Sequence, residues 1–172
     1  KDFTIPDGIK SIGEEAFYNS GITSLVVPES VETIDKLAFS HMANLTNATF
    51  PAGCGITFSD CKNLKTAKIT GNPTVIDNYM FYECRRLTTL DISNFDTSNV
   101  YDMNYMFNGC YNLTTLDLSN FNTSNVTTST NMFYYCTKLV GGAGTKYDST
   151  KTDKTYARID GGTIRPGYFT SK

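Results

Sequence analysis

Residues 87–112 read LTTLDISNFDTSNVYDMNYMFNGCYN, and residues 113–138 read LTTLDLSNFNTSNVTTSTNMFYYCTK. Fifteen of the 26 aligned positions are identical, mainly Leu, Phe, Cys, Asn and Thr. So long an internal copy marks a repeat protein, in which each unit buries its apolar side against the next unit rather than within itself. Working outward, the anchor of the unit is a Phe, usually preceded by Ala or Met. It recurs as Ala16-Phe17, Ala38-Phe39, Phe58, Met80-Phe81, Met106-Phe107 and Met132-Phe133, in steps of 22, 19, 23, 26 and 26 residues. The spacing predicts about six coils over residues 1–140, with shorter repeats in 1–86 and two 26-residue repeats in 87–140. Residues 141–172 lack the pattern and are expected to cover the last coil as a cap or to trail from it. Tyr156, Ile159, Ile164, Tyr168 and Phe169 give that segment apolar material with which to dock.

A strand-like stretch follows each of the first five anchors, at 22–27, 45–50, 64–69, 87–92 and 113–118, and a partial one stands at 3–5. Apolar residues alternate within them, as in Leu25 and Val27, Leu90 and Ile92, or Leu116 and Leu118. Alternate side chains point to opposite faces of a strand, so these face a core while Val26, Thr49, Lys68, Asp91 and Asp117 face out. Copies one repeat apart run in the same direction and pair in parallel. The return path carries a second apolar pair, Ile12 with Phe17, Ile34 with Phe39 and Ile76 with Phe81. In the long repeats Val100 to Phe107 and Val126 to Phe133 stretch that pair's spacing from five to seven residues, which should widen the side opposite the main sheet. The third repeat is shortened around Gly53, Cys54 and Gly55, where a bend or tightened turn is expected.

Composition narrows the functional classes. Fifteen Lys and Arg against 17 Asp and Glu leave a formal charge of -2, which argues against nucleic acid as a partner, because phosphate binding needs a basic patch. No apolar run approaches the length of a membrane span, so no membrane insertion is expected in this segment. The chain begins at Lys1 without a methionine, and any export signal or anchor is expected outside these residues. Eleven Tyr, eleven Phe and many Thr, Ser and Asn suit short strands joined by turns, and hence an extended solenoid.

The segment LTTLDLSNFNTSNV with its later MF, C and L resembles the longer repeat of the BspA-like leucine-rich repeat surface proteins. IPDGIKSIGEEAF and VPESVETIDKLAF resemble their shorter repeat, and YDSTKTDKTYARIDGG followed by PGYFT resembles the segment that often closes such arrays. The resemblance implies a right-handed leucine-rich-repeat solenoid, mainly β, with a parallel sheet on one side and turns and short helices on the return side. It further implies a non-enzymatic, secreted module on a bacterial cell surface, used for adhesion to host matrix protein, glycan or another cell. Fibronectin- and fibrinogen-type partners follow from the resemblance alone. The rival readings are a structural spacer that displays another domain and an enzyme-associated repeat. Departures from the pattern are Ser20 and Met42 where later repeats have Cys, and Ser129 where Met is usual.

Cys61, Cys84, Cys110 and Cys136 each lie three residues after an anchor Phe, so stacking places them in one column, with Cys54 apart. Stacked strands hold neighbouring Cβ atoms near ~4.8 Å, beyond the ~3.8 Å usual for a disulfide, so buried free thiols are expected. No CxxC occurs, and no metal or cofactor is expected. His41, with Asp60 and Cys61 in the next coil, could be read as a base, an orienting carboxylate and a thiol nucleophile. If Phe58 and Cys61 point inward, however, His41 and Asp60 point to solvent, and no catalytic residue is assigned. Asp91 and Asp117 offer too few oxygens for calcium.

Two surfaces remain as binding candidates. The first is the outer sheet face, where Ser24, Asn47, Thr66, Thr89 and Thr115 form one column and Thr4, Val26, Thr49, Lys68, Asp91 and Asp117 the other. Thr66, Lys68, Thr89, Asp91, Thr115 and Asp117 are its central binding candidates. The second is a return-side tyrosine patch of Tyr79, Tyr82, Tyr101, Tyr105, Tyr134 and Tyr135, with Tyr111 beside it. Tyr combines large contact area with a polar tip and is enriched in binding hot spots. Asn94 with Asn120 and Asn99 with Asn125 are expected to act as amide ladders that satisfy turn backbone.

Overall fold

The computed structural model describes residues 1–51, 53–71, 76, 78–92, 97–117 and 121–170, with only the backbone of Asp91. The strands are β1 (Asp2–Thr4), β2 (Ser11–Ile12), β3 (Ser24–Val26), β4 (Thr33–Ile34), β5 (Asn47–Pro51), β6 (Thr66–Thr70), β7 (Thr89–Asp91), β8 (Thr115–Asp117) and β9 (Phe169–Thr170). Seven of them form one sheet in the order β1-β3-β5-β6-β7-β8-β9, and β2 pairs with β4 on the return side. Every pairing is parallel. This is the leucine-rich-repeat solenoid the repeat predicts, with each coil adding one strand.

Register follows the repeat residue for residue. Leu25, Ala48, Ala67, Leu90 and Leu116 occupy one inward column and are buried, and Phe3 begins that column at the exposed edge. Behind the sheet the anchor phenylalanines stack as a continuous spine. Successive ring centroids from Phe17 through Phe39, Phe58, Phe81 and Phe107 to Phe133 are 5.2, 6.2, 6.3, 6.0 and 5.9 Å apart. Rings at this spacing gain aromatic attraction beyond their burial, and the spine ties the coils into one core.

The return side is built from turns, and the helical structure among the described residues is one 3-10 turn, Lys154–Tyr156. Every anchor but Phe58 sits between residues with left-handed backbone two places before and after it. All ten non-glycine residues of positive φ among the described residues stand two places before or after an anchor: Glu15, Asn19, Leu37, His41, Asp60, Tyr79, Glu83, Tyr105, Asn131 and Tyr135. None is β-branched, as the crowding of a branched Cβ in that region requires. Ile56, the β-branched residue two before Phe58, is absent from this set, and Gly55 beside it has φ 81 instead. The shortened third coil thus turns on Gly53 and Gly55, with φ of 78 and 81, and the carbonyl of Cys54 accepts the Ile34 N–H at 2.7 Å.

These turns expose backbone groups that would be costly if unpaired, and the next coil pairs them. Phe17 N–H donates to Ala38 C=O at 2.9 Å, Phe58 to Met80 at 2.8 Å, Phe81 to Met106 at 2.9 Å and Phe107 to Met132 at 3.0 Å. Asparagine amides add rungs: Asn63 to Ala43 C=O, Asn112 to Arg85 C=O and Asn125 to Ser98 C=O. Asn94 and Asn120 lie outside the described residues. In the long repeats the added residues carry a buried Met103 and a parallel bridge between Asp102 and Thr128.

The C-terminal segment extends the array in register. Leu116 pairs with Phe169 and Asp117 with Thr170, so β9 is a seventh strand supplied by a segment without the repeat motif. Phe133 N–H donates to Thr152 C=O at 2.9 Å, continuing the return ladder, and Tyr168 and Phe169 place their rings 5.3 and 6.1 Å from Phe133. Asp160, 8% exposed, ties the segment together. Its carboxylate accepts from Ala143 N–H and Thr145 N–H, both at 2.9 Å, Thr145 Oγ1 at 2.7 Å and Gly162 N–H at 2.9 Å.

Candidate binding site

The outer sheet face carries its two columns as ladders. Thr66, Thr89 and Thr115 are aligned neighbours, preceded by Ser24 and Asn47, and Thr4, Val26, Thr49, Lys68, Asp91 and Asp117 share the second register. Asn47, Thr66, Lys68, Thr89 and Thr115 are exposed, and Ser24, Thr49 and Asp117 are half-buried. The Asp91 side chain lies outside the described residues. Thr66 Oγ1 donates to Asn47 Oδ1 at 2.7 Å, and the Asn47 amide donates to Thr46 Oγ1 at 2.9 Å. At about 4.8 Å per strand the column from Ser24 to Thr115 spans roughly 19 Å, enough for an extended ligand.

The tyrosines divide into two clusters. Tyr79 stacks on Tyr105 at 4.9 Å and meets Tyr82 at 5.5 Å, while Tyr82 and Tyr105 are 6.4 Å apart. Tyr111 stacks on Tyr135 at 5.5 Å, Tyr134 and Tyr135 are 4.1 Å apart, and the Arg85 guanidinium lies 5.7 Å from the Tyr111 ring. Tyr101, 60% exposed, makes no ring contact among the described residues. The clusters arise because Tyr79 and Tyr105 occupy the left-handed position before their anchors and Tyr135 the one after its own. Such positions aim side chains outward, and mutual stacking uses part of each ring face.

The His41 imidazole of the second coil does not converge with the Asp60 carboxylate and Cys61 thiol of the third. His41 Nε2 stands 3.8 Å from Asp60 Oδ2, beyond hydrogen-bond reach, and Lys62 Nζ lies 3.6 Å from Asp60 Oδ1. Cys61 faces the core, where its thiol donates to Phe39 C=O at 3.1 Å. Cys84, Cys110 and Cys136 repeat that bond to Phe58, Phe81 and Phe107. Burial pushes the Cys61 thiol up to about 12, helped by the Asp60 charge against an opposing backbone hydrogen bond, and burial raises the other three well above the ordinary thiol range. A thiol held protonated is a poor nucleophile. Native protein at pH 8 is therefore expected to resist a maleimide over a time in which free cysteine reacts to completion. Denaturant should release all five thiols, and rapid labelling of Cys61 in folded protein would contradict the column.

Among the described residues no group of three His, Cys, Asp or Glu could hold a metal ion, and no helix is long and apolar enough to cross a membrane. The basic residues at the junction of the last coil with the C-terminal segment were not distinguished by sequence reading. Their signal was an excess of Lys and Arg over Asp in the non-repeat segment.

The repeats and the fold, though not these surfaces, have counterparts in known proteins. The description "BspA type Leucine rich repeat region" matches in six copies, over residues 1–98 and 55–141. No curated protein matches the chain. Among solved structures, a leucine rich cell surface protein from Faecalibacterium prausnitzii A2-165 superposes with a TM-score of 0.50 at 21% identity. The match covers 80% of this chain and 46% of that one, so the chain spans less than half the length of that relative in fold. With that repeat matched over residues 1–141, the chain belongs to the BspA-type leucine-rich repeat family.

Proposed function

We propose that the chain is a non-enzymatic binding module displayed on a bacterial cell surface, which holds a glycan or an extended protein segment along its outer sheet face. The observation that carries this reading is the in-register column Ser24, Asn47, Thr66, Thr89 and Thr115, one polar side chain per strand. Such a column offers repeated hydroxyl and amide groups to a ligand that itself repeats, and repeat proteins commonly use extended faces in this way. Surface display is supported by the family and by the similar fold of the Faecalibacterium prausnitzii leucine rich cell surface protein. Fibronectin- or fibrinogen-type partners belong to the same proposal. The tyrosine clusters support a second reading, in which the return side makes the contact, because Tyr79, Tyr101 and Tyr135 remain 39%, 60% and 43% exposed.

Binding of the purified chain to immobilised matrix proteins, mucins and glycans separates these readings. The double variant Thr89→Lys/Thr115→Lys places two long cations in the column and is expected to reduce saturable binding about tenfold or more, whereas Tyr105→Ala/Tyr134→Ala leaves it within about twofold. The opposite ranking transfers the site to the tyrosines. Absence of saturable binding from folded protein favours a spacer that displays another domain.

A further inference from the structure

The charge of the chain is unevenly divided. Residues 1–140 contain nine Lys and Arg against fourteen Asp and Glu, whereas residues 141–172 contain six against three. Three of those six cations meet at one place. Lys154, Arg158 and Arg165 line a cleft of about 370 Å³ with Thr123, Ser124, Thr155 and Ala157, where the last long repeat abuts the C-terminal segment. That volume lies within the ~300–1,000 Å³ typical of small-ligand sites.

No carboxylate lines the cleft, and none of the three cations forms an ion pair among the described residues. Asp153, adjacent in sequence, turns its Oδ1 to Thr155 N–H at 2.9 Å. The fold holds two of the cations in place: Lys154 Nζ donates to Val126 C=O, and Arg158 Nε donates to Pro166 C=O at 2.8 Å. The Arg158 guanidinium also lies 5.8 Å from the Tyr156 ring, and among the described residues its terminal nitrogens make no hydrogen bond. Arg165 lies on an exposed loop closed by the Gly161 N–H donating to its carbonyl at 2.8 Å, and its guanidinium has no hydrogen-bond partner among the described residues.

We propose that this cleft is an oxyanion site for an acidic polysaccharide. Guanidinium groups bind sulfate and carboxylate through paired, charge-assisted hydrogen bonds. Thr123, Ser124 and Thr155 supply neutral hydroxyls suited to sugar hydroxyl groups, and among the described residues Ala157 is the only apolar one in the lining, which offers little to hold the side chains of an apolar or amphipathic peptide. The site is separate from the sheet face and the tyrosine clusters, so it stands whichever of those carries a partner.

The test measures binding of the whole chain to a heparin-derived oligosaccharide, to a hyaluronan oligosaccharide and to neutral dextran, at low and at physiological ionic strength. Heparin is expected to bind, with affinity falling as salt rises, and dextran not to bind. Hyaluronan binding would show that carboxylate suffices, and its absence would assign the site to sulfate. Arg165→Glu, on an exposed loop, is expected to weaken heparin binding about tenfold or more, with Arg165→Gln intermediate. Lys65→Glu, the same charge change at an exposed residue of the fourth coil, should alter it less than about twofold. Failure of both acidic oligosaccharides to bind at low salt overturns the proposal. So does equal loss in Lys65→Glu and Arg165→Glu, unchanged binding in Arg165→Glu, or tighter binding of polyglutamate than of heparin.

Discussion

Phe107→Ala is expected to destabilise the protein by about 3–5 kcal/mol, the range measured when a fully buried Phe is truncated to Ala. Phe107 is 0% exposed, and its ring is nearly parallel to both neighbours, at 3° to Phe81 and 9° to Phe133. Removing it opens a void between coils that cannot collapse, because the backbone on either side is fixed by ladder bonds from Phe107 N–H to Met132 C=O and from Phe81 N–H to Met106 C=O. Since a domain of this size is stable by only ~5–15 kcal/mol, the loss takes a large share of the total. The same truncation at the end of the spine should cost much less. Phe17 is half-buried and stacks on Phe39 at 5.2 Å, with Phe3 tilted against it at 5.5 Å at the exposed edge. In a one-dimensional array each coil is supported only by its neighbours, so a central defect uncouples two halves while a terminal one frays one end. Denaturant titrations of Phe17→Ala, Phe58→Ala and Phe107→Ala check this. Equal losses at Phe17 and Phe107 would show that the spine is not the element that couples the coils.

The sheet was legible because the repeat encodes it twice. Alternation within LTTLDLS sets which side chains face inward, and the identity of successive units sets the register, so Thr66, Thr89 and Thr115 could be aligned without coordinates. The thiol column was legible for the same reason. The return side was not, because its conformation is carried by residues as different as Glu15, Leu37, Tyr79 and Tyr105, none of which favours left-handed backbone. The available signal was negative: β-branched residues are missing from those positions except at Ile56, where the turn differs. The strand β9 was also hidden. Two residues of pairing, thirty places beyond the last repeat leucine, leave no periodicity, and only the apolar character of Tyr168 and Phe169 pointed there. The basic cleft escaped for a related reason. Its cations come from three places in a segment with no repeat to align them against.

Asp160→Asn should release that C-terminal segment, at a cost of roughly 2–4 kcal/mol, because hydrogen bonds to a charged acceptor are strong and the donors left behind are buried. An amide in place of the carboxylate turns one acceptor into a donor facing backbone N–H groups of Ala143 and Thr145. There is little room to adjust: a Cβ at Gly141 would lie 2.2 Å from Gly167 C=O and 2.5 Å from Asp160 Oδ2. The pH dependence has a definite sign. Burial pushes the Asp160 carboxyl up, but its bonds from Thr145, Gly162 and Ala143 more than reverse this and bring it from 3.8 down to about 2. A carboxyl depressed by folding stabilises the folded state above its unfolded value and loses that contribution as pH falls through its folded value. Asp148 and Asp153 are lowered as well, chiefly by hydrogen bonds from Thr150 and Thr155, so the acid-sensitive carboxylates cluster in this segment. The native chain should therefore lose the segment's anchoring progressively between about pH 4 and pH 2, and Asp160→Asn should show a flatter stability profile over that interval. Cys136 reports the event locally. It is fully buried in the last coil, three residues after the Phe133 whose ring Tyr168 and Phe169 contact, and it should become reactive to maleimide in Asp160→Asn while Cys61 stays protected. Simultaneous exposure of both thiols would mean that the array unfolds as one unit, with the C-terminal segment holding the whole solenoid rather than its final coil.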